Sequence, residues 1–195
     1  MQVKATVIMA ASFTVFAAVA SCGDATGPTT FANQDAHVTV FALSGSAQNA
    51  PSAIELGNVQ FGPVVVGPTF AFHVAFDINA SNQVVIYSPR SLANQLTNTA
   101  RVGFQFTTQT FDQITVAPTK GFVYDTTMIM PPNQTLLLDA GFASCSFSLA
   151  GSTIRAKLTV DSVYLTQRKI FVHVFSDPNC GFKDLSTKDP ALPKG

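Results

Sequence analysis

Between His37 and Phe175 apolar residues recur at every second position, a rhythm that only extended strands with one buried face can satisfy. The clearest case is Thr69 to Ile78 (TFAFHVAFDI). Phe70, Phe72, Val74, Phe76 and Ile78 fall on one side, and Ala71, His73, Ala75 and Asp77 on the other. Such alternation is the mark of an antiparallel sheet packed on a single face. The next residues, Asn79-Ala80-Ser81-Asn82, are turn formers, and Gln83 to Tyr87 resumes the strand. The two predict a hairpin.

The same reading predicts strands over His37–Leu43, Asn58–Phe61, Arg101–Thr107, Phe111–Val116 and Phe122–Tyr124. It continues with Thr135–Asp139, Phe142–Leu149, Thr153–Val160 and Lys169–Phe175. Gly62-Pro63 is expected to stop the second of these. Within Thr153–Val160 the inward set is Ile154, Ala156, Leu158 and Val160, with Arg155, Lys157 and Thr159 outward. One short helix is expected where Ser88 can cap a turn that starts at Pro89. Strands of this length and spacing, separated by Gly, Pro and Asn, predict an all-β fold: one antiparallel β-sandwich domain over residues 37–183. Residues 22–36 read as a flexible tether and 184–195 as a disordered tail.

The phrase Pro131-Pro132-Asn133-Gln134-Thr135, running into Leu136-Leu137-Leu138, resembles the approach to an edge strand in immunoglobulin-like and fibronectin-like bacterial domains. A proline-stiffened loop before a strand accounts for it equally well.

The N-terminus carries a different signal. Lys4 precedes an apolar run from Ala5 to Ala20, and small residues follow, which makes residues 1–21 a secretory signal peptide. As a helix, Ala5 to Ser21 would span about 25 Å, short of the ~30 Å hydrocarbon core of a bilayer. The tetrad Val19-Ala20-Ser21-Cys22 resembles the lipobox of bacterial lipoproteins, with Val19 where Leu is more usual. That resemblance implies cleavage before Cys22 and acylation of its sulfur and new amino group. Two or more chains hold a protein stably on a membrane, whereas one does so marginally. The implied location is the bacterial cell envelope, on the periplasmic side, with membrane lipid held through Cys22.

Cysteine use agrees with export. Cys145 and Cys180 form an even pair in an oxidising compartment, which predicts a structural disulfide. Their spacing matches no CxxC redox or zinc pattern. Only 11% of residues are charged while 47% are hydrophobic, with 17 Phe and no Trp. No basic cluster exists to displace counterions, so a nucleic-acid partner is not expected. The formal net charge of zero hides an asymmetry: residues 23–150 carry three Lys or Arg and seven Asp or Glu, and residues 151–195 seven and four.

Chemistry-bearing residues are sparse. His37, His73 and His173 lie in separate predicted strands, no two at ligand spacing, and no nucleophile, zinc or phosphate-loop motif occurs. Asp112, Asp125 and Asp139 could meet in loops as hydrolytic carboxylates, but nothing selects among them. Asp24, Asp35 and Asp77 are too scattered for a calcium loop. No catalytic, cofactor-binding or metal-binding residue is assigned, and the chain is read as no enzyme.

Phe70, Phe72, Phe76, Phe104 and Phe106 are expected to fill the space between two sheets. Lys169–Phe175 stands apart because Phe171, His173 and Phe175 oppose Ile170, Val172 and Val174. A strand apolar on both faces is either central beneath a cover or presents a contact patch. Phe171 and Phe175 are therefore the candidate partner contacts. The resulting expectation is a lipid-anchored binding or scaffold module, in one form an extrinsic subunit docked on a larger membrane protein complex. The alternatives are a carrier or sensor of a small apolar ligand, and a hydrolase.

Overall fold

The computed structural model describes residues 31–57, 60–69, 71–93, 100–141, 145 and 151–186. In chain order the strands are β1 (Gln34–Phe41), β2 (Ala53–Leu56), β3 (Phe61–Val64), β4 (Val74–Ile78), β5 (Val84–Tyr87), β6 (Val102–Thr107), β7 (Val123–Tyr124), β8 (Thr127–Ile129), β9 (Thr135–Gly141), β10 (Thr153–Tyr164) and β11 (Lys169–Asp177). They form two antiparallel sheets, one ordered β1-β11-β10-β9-β6-β7 and the other β3-β2-β4-β5-β8. The architecture is an all-β sandwich, as the period-two rhythm predicts.

One core lies between the sheets and is built by that rhythm. The large sheet contributes Val40, Val102, Phe104, Leu136, Leu138, Ile154, Ala156, Leu158, Ile170, Val172 and Val174. The small sheet answers with Ile54, Leu56, Val74, Phe76, Ile78 and Ile86. The expected hairpin is present, with Phe76 opposite Ile86 and Ile78 opposite Val84. The expected helix is the single turn α1 (Pro89–Leu92), where the Ser91 N–H donates to Ser88 Oγ at 3.2 Å. Cys145 and Cys180 are bonded, tying the chain after β9 to the turn after β11.

Several expectations fail, each for a physical reason. Gly62-Pro63 does not stop a strand but lies inside β3, with Pro63 opposite Ile54. β3 is an edge strand, where the N–H that proline lacks has no ladder to serve. The alternation from Thr69 becomes a strand only at Val74. Phe72 turns to the outer side of the small sheet and packs with Ala53 and Ala75. Phe111–Val116 is a 3-10 turn (Phe111–Gln113) followed by a loop whose Val116 forms an isolated bridge to Asp184. β9 lies within its sheet, so Pro131–Thr135 leads to an interior strand. The expected strand Phe142–Leu149 falls outside the described residues except for Cys145, as do Phe70 and the first two residues of Asn58–Phe61.

Both domain boundaries also shift outward. The Phe31 N–H donates to Asn179 Oδ1 at 3.0 Å, and Asn179 Nδ2 donates back to the Phe31 carbonyl at 2.8 Å. At the other end the Leu185 N–H donates to the Thr115 carbonyl at 2.8 Å, and Leu185 is fully buried. Residues 31–36 and 184–186 therefore belong to the folded body. Residues 1–30 and 187–195 lie outside the described residues, along with Cys22 and the signal segment.

Candidate functional site

The outer face of the large sheet divides into a covered half and an open half, and the register decides which residues fall in each. One row across it runs Gln105, Leu137, Lys157, Phe175 and Asp35. Over its middle fold Phe111, Ile114, Ala117 and Leu185, which with Leu137 and Phe175 form a second core. The sheet there is sandwiched on both faces.

Lys157 is the pin of that cover. Expected outward, it is outward of the first core yet 0% exposed. Its ammonium donates to the carbonyls of Phe111 and Ile114, both at 2.8 Å. It also lies 4.5 Å from the centre of the Phe111 ring and 5.2 Å from that of Phe175. Burial pushes the Lys157 ammonium below its ordinary range, against the opposing pull of Asp112, Asp35 and Asp184.

The neighbouring row is Tyr124, Gly103, Asp139, Arg155 and Asp177. The Tyr124 hydroxyl donates to Asp139 Oδ2, and Arg155 pairs with Asp139 Oδ1. Gly103 makes room for this: a Cβ there would stand 2.8 Å from Phe122 Cβ and from Tyr124 Cε1. Burial lowers the pKa of Arg155, with Tyr124 pulling it back up. Burial also raises that of Asp177, opposed by hydrogen bonds from Asn179. Each of these groups is engaged by the fold or enclosed by it, so the row reads as an internal polar brace.

The open half runs along β1, β11 and the far end of β10. Its rows are His37, His173 and Thr159; then Thr39, Phe171 and Ser162; then Phe41, Lys169 and Tyr164. The His37 and His173 rings stack with centroids 4.0 Å apart, and His173 stacks on Phe111 at 3.8 Å, where the cover ends. Each imidazole meets its own carboxylate, His37 Nδ1 with Asp161 Oδ2 at 2.9 Å and His173 Nε2 with Asp35 Oδ1 at 2.7 Å. Asp161 reaches this position because β10 bulges between Val160 and Ser162. Beyond the histidines Phe171 meets Tyr164 edge-on at 5.5 Å, and Lys169 lies 5.7 Å from the Phe41 ring centre. Tyr164 is 55% exposed and Leu165, just past it, 44%.

The two candidate contacts thus part company. Phe175 is 2% exposed beneath the cover and is core, so it is corrected out of the contact surface. Phe171 stays half-buried on the open strip. The sequence names His37 and His173 only as separate histidines and does not join them with Phe41 and Tyr164 into a surface around Phe171. Their only signal was position in alternating segments whose mutual register is not written locally.

The other residues considered for chemistry are dispersed. His73 is buried beside Glu55, its Nδ1 accepting the Leu56 N–H at 3.2 Å. Asp77 pairs with Arg168 at 3.1 Å and accepts from Ser44. Asp125 faces Arg90 and Arg101, whereas Asp139 is held by Tyr124 and Arg155 and Asp112 lies near Lys157. Among the described residues no three His, Cys, Asp or Glu side chains are placed to hold a metal ion. Nor, among them, is any helix long and apolar enough to cross a membrane. No protein-family model, curated protein or solved structure matches this chain, so its function must be argued from the chemistry of its own surfaces.

Proposed function

We propose that the chain is a lipid-anchored, non-enzymatic module of the bacterial cell envelope that works by contact. It docks as an extrinsic subunit on a larger membrane protein complex through the strip centred on Phe171. The observation that carries this reading is the unequal cover of the outer face. One half of the large sheet is roofed by Phe111–Ala117 and Leu185, while Phe41, Tyr164 and Phe171 lie beside it with no roof among the described residues. Aromatic side chains with an adjacent cation and paired His–Asp groups suit the core and polar rim of a protein interface. The low share of charged residues, 11%, supports a body that lives against other surfaces.

Anchoring rests on the Val19–Cys22 tetrad, and the folded body begins close after it. If residues 22–30 link lipid to body as a coil, the r.m.s. span is only ~15–20 Å. That reach keeps the strip within range of membrane-embedded partners. Mass spectrometry of the N-terminal peptide from native envelope tests the anchor. The expected product starts at Cys22 and carries acyl groups; an unmodified Cys22 or an intact Met1 segment would sink it.

A further inference from the structure

The described residues also form a cleft whose chemistry differs from that of the aromatic strip, although Ser162 borders both. At one end of the sandwich the β4–β5 turn, the loop before β9 and the bulged half of β10 enclose a cleft of about 290 Å³. That is close to the lower bound of ordinary ligand pockets, so only a small ligand fits.

Its lining has two parts. Val84, Met130, Pro131, Pro132, Val160 and Val163 supply apolar surface, and the lining also includes Asn82, Gln83, Asn133 and Gln134, the first three exposed to solvent. Gln83 is partly engaged, its Oε1 accepting from Asn79 Nδ2 at 3.1 Å. Among the described residues, Asn82, Asn133 and Gln134 give their side-chain amides no such partner. No acidic or basic side chain is in the lining. Two of the amides stand on left-handed backbone, Asn82 at φ 61° and Asn133 at φ 57°. Asparagine accepts that conformation readily in turns, and glycine would hold it equally well. The wall is the segment of β10 that bulges, and such irregularities gather beside binding sites.

We propose that this cleft binds a neutral sugar unit. Carboxamides donate and accept at once, which matches hydroxyl and acetamido groups. The proline and methionine surfaces suit the C–H faces of a pyranose ring. A carboxylate, phosphate or ammonium ligand would lose hydration and find no countercharge.

The test is a titration of the full chain with N,N′-diacetylchitobiose and with maltose, followed by ¹H–¹⁵N NMR. Saturable shifts centred on Asn82, Gln83, Asn133 and Gln134 are expected with at least one of the two sugars. The double variant Asn82→Gly/Asn133→Gly keeps both backbone conformations and deletes both amides. It should weaken binding about ten-fold or more, equivalent to about 1.4 kcal/mol, with the amide spectrum otherwise unchanged. Phe41→Asp, on the strip but opposite no residue of the cleft lining, should leave sugar binding untouched, which separates this site from the docking strip. The proposal is overturned by the absence of a saturable shift with either sugar, by shifts centred elsewhere, or by unaltered affinity in the double variant. Tighter binding of a charged sugar such as glucuronic acid would overturn it too.

Discussion

Cys180→Ser should lower the unfolding free energy by about 3–4 kcal/mol in the chain-entropy model. The disulfide closes a loop with a sequence separation of 35, inside which lie the whole of β10 and β11. Breaking it frees the denatured chain to explore far more conformations, while Cys145 stays 1% exposed against the main core. Urea melts followed by circular dichroism measure the loss. The matching control is the parent protein in reductant, which should fall to the stability of the variant. A parent that melts identically with and without reductant would show that the bridge contributes nothing.

Lys157→Ala should cost a comparable amount, about 3 kcal/mol, from two sources. The stem leaves a void in the second core, and the carbonyls of Phe111 and Ile114 lose their donor. Lys157→Met separates these sources because it keeps most of the volume and removes the buried charge. It should cost about 1–2 kcal/mol, the share of the lost donor alone, since the two carbonyls stay without a partner while the void is largely filled.

Acidity gives an independent check on the same residue. Burial lowers the Lys157 pKa below the ordinary lysine value of 10.5, so the unfolded chain holds that proton to higher pH than the native one. This group's contribution therefore increases as pH rises through the lowered value, is complete above the unfolded pKa, and is lost as pH falls. The stability of the parent relative to Lys157→Met should accordingly increase as pH rises on the alkaline side toward the ordinary lysine pKa. Tyr87, whose pKa is raised mainly by burial, acts in the opposite sense over the alkaline range, but it is common to both proteins and cancels. A difference that shrinks with pH would contradict a desolvated Lys157.

The inner core was legible because period-two patterning needs only local sequence. Val102 and Phe104, the set Ile154, Ala156 and Leu158, and the set Ile170, Val172 and Val174 all face inward as their alternation requires. The cover was not legible. Phe111, Ile114, Ala117 and Leu185 follow no strand period, and they reach the sheet only through long-range contacts such as the Lys157 pin and the Val116–Asp184 bridge. Without that layer Lys157 reads as a solvated lysine and Phe175 as a contact residue. Pro63 misled because its effect depends on whether its strand is an edge, which sheet order decides. The His37–His173 stack was hidden for a related reason. It joins the first strand of the sheet to the last, and no local pattern fixes that register.

Phe171 is where the contact account is most exposed to test. The measurement is co-purification from native membranes in mild detergent, comparing the parent with Phe171→Asp and pairing each preparation with a thermal melt. On a half-buried surface position the substitution should leave the melt nearly unchanged. Binding should weaken by about 1–3 kcal/mol, roughly 5- to 150-fold, as for an aromatic anchor in an interface core. A variant that folds like the parent and retains the same membrane partners at the same yield would contradict docking through this strip. A variant that unfolds would contradict it as well, by placing Phe171 with Phe175 in the core.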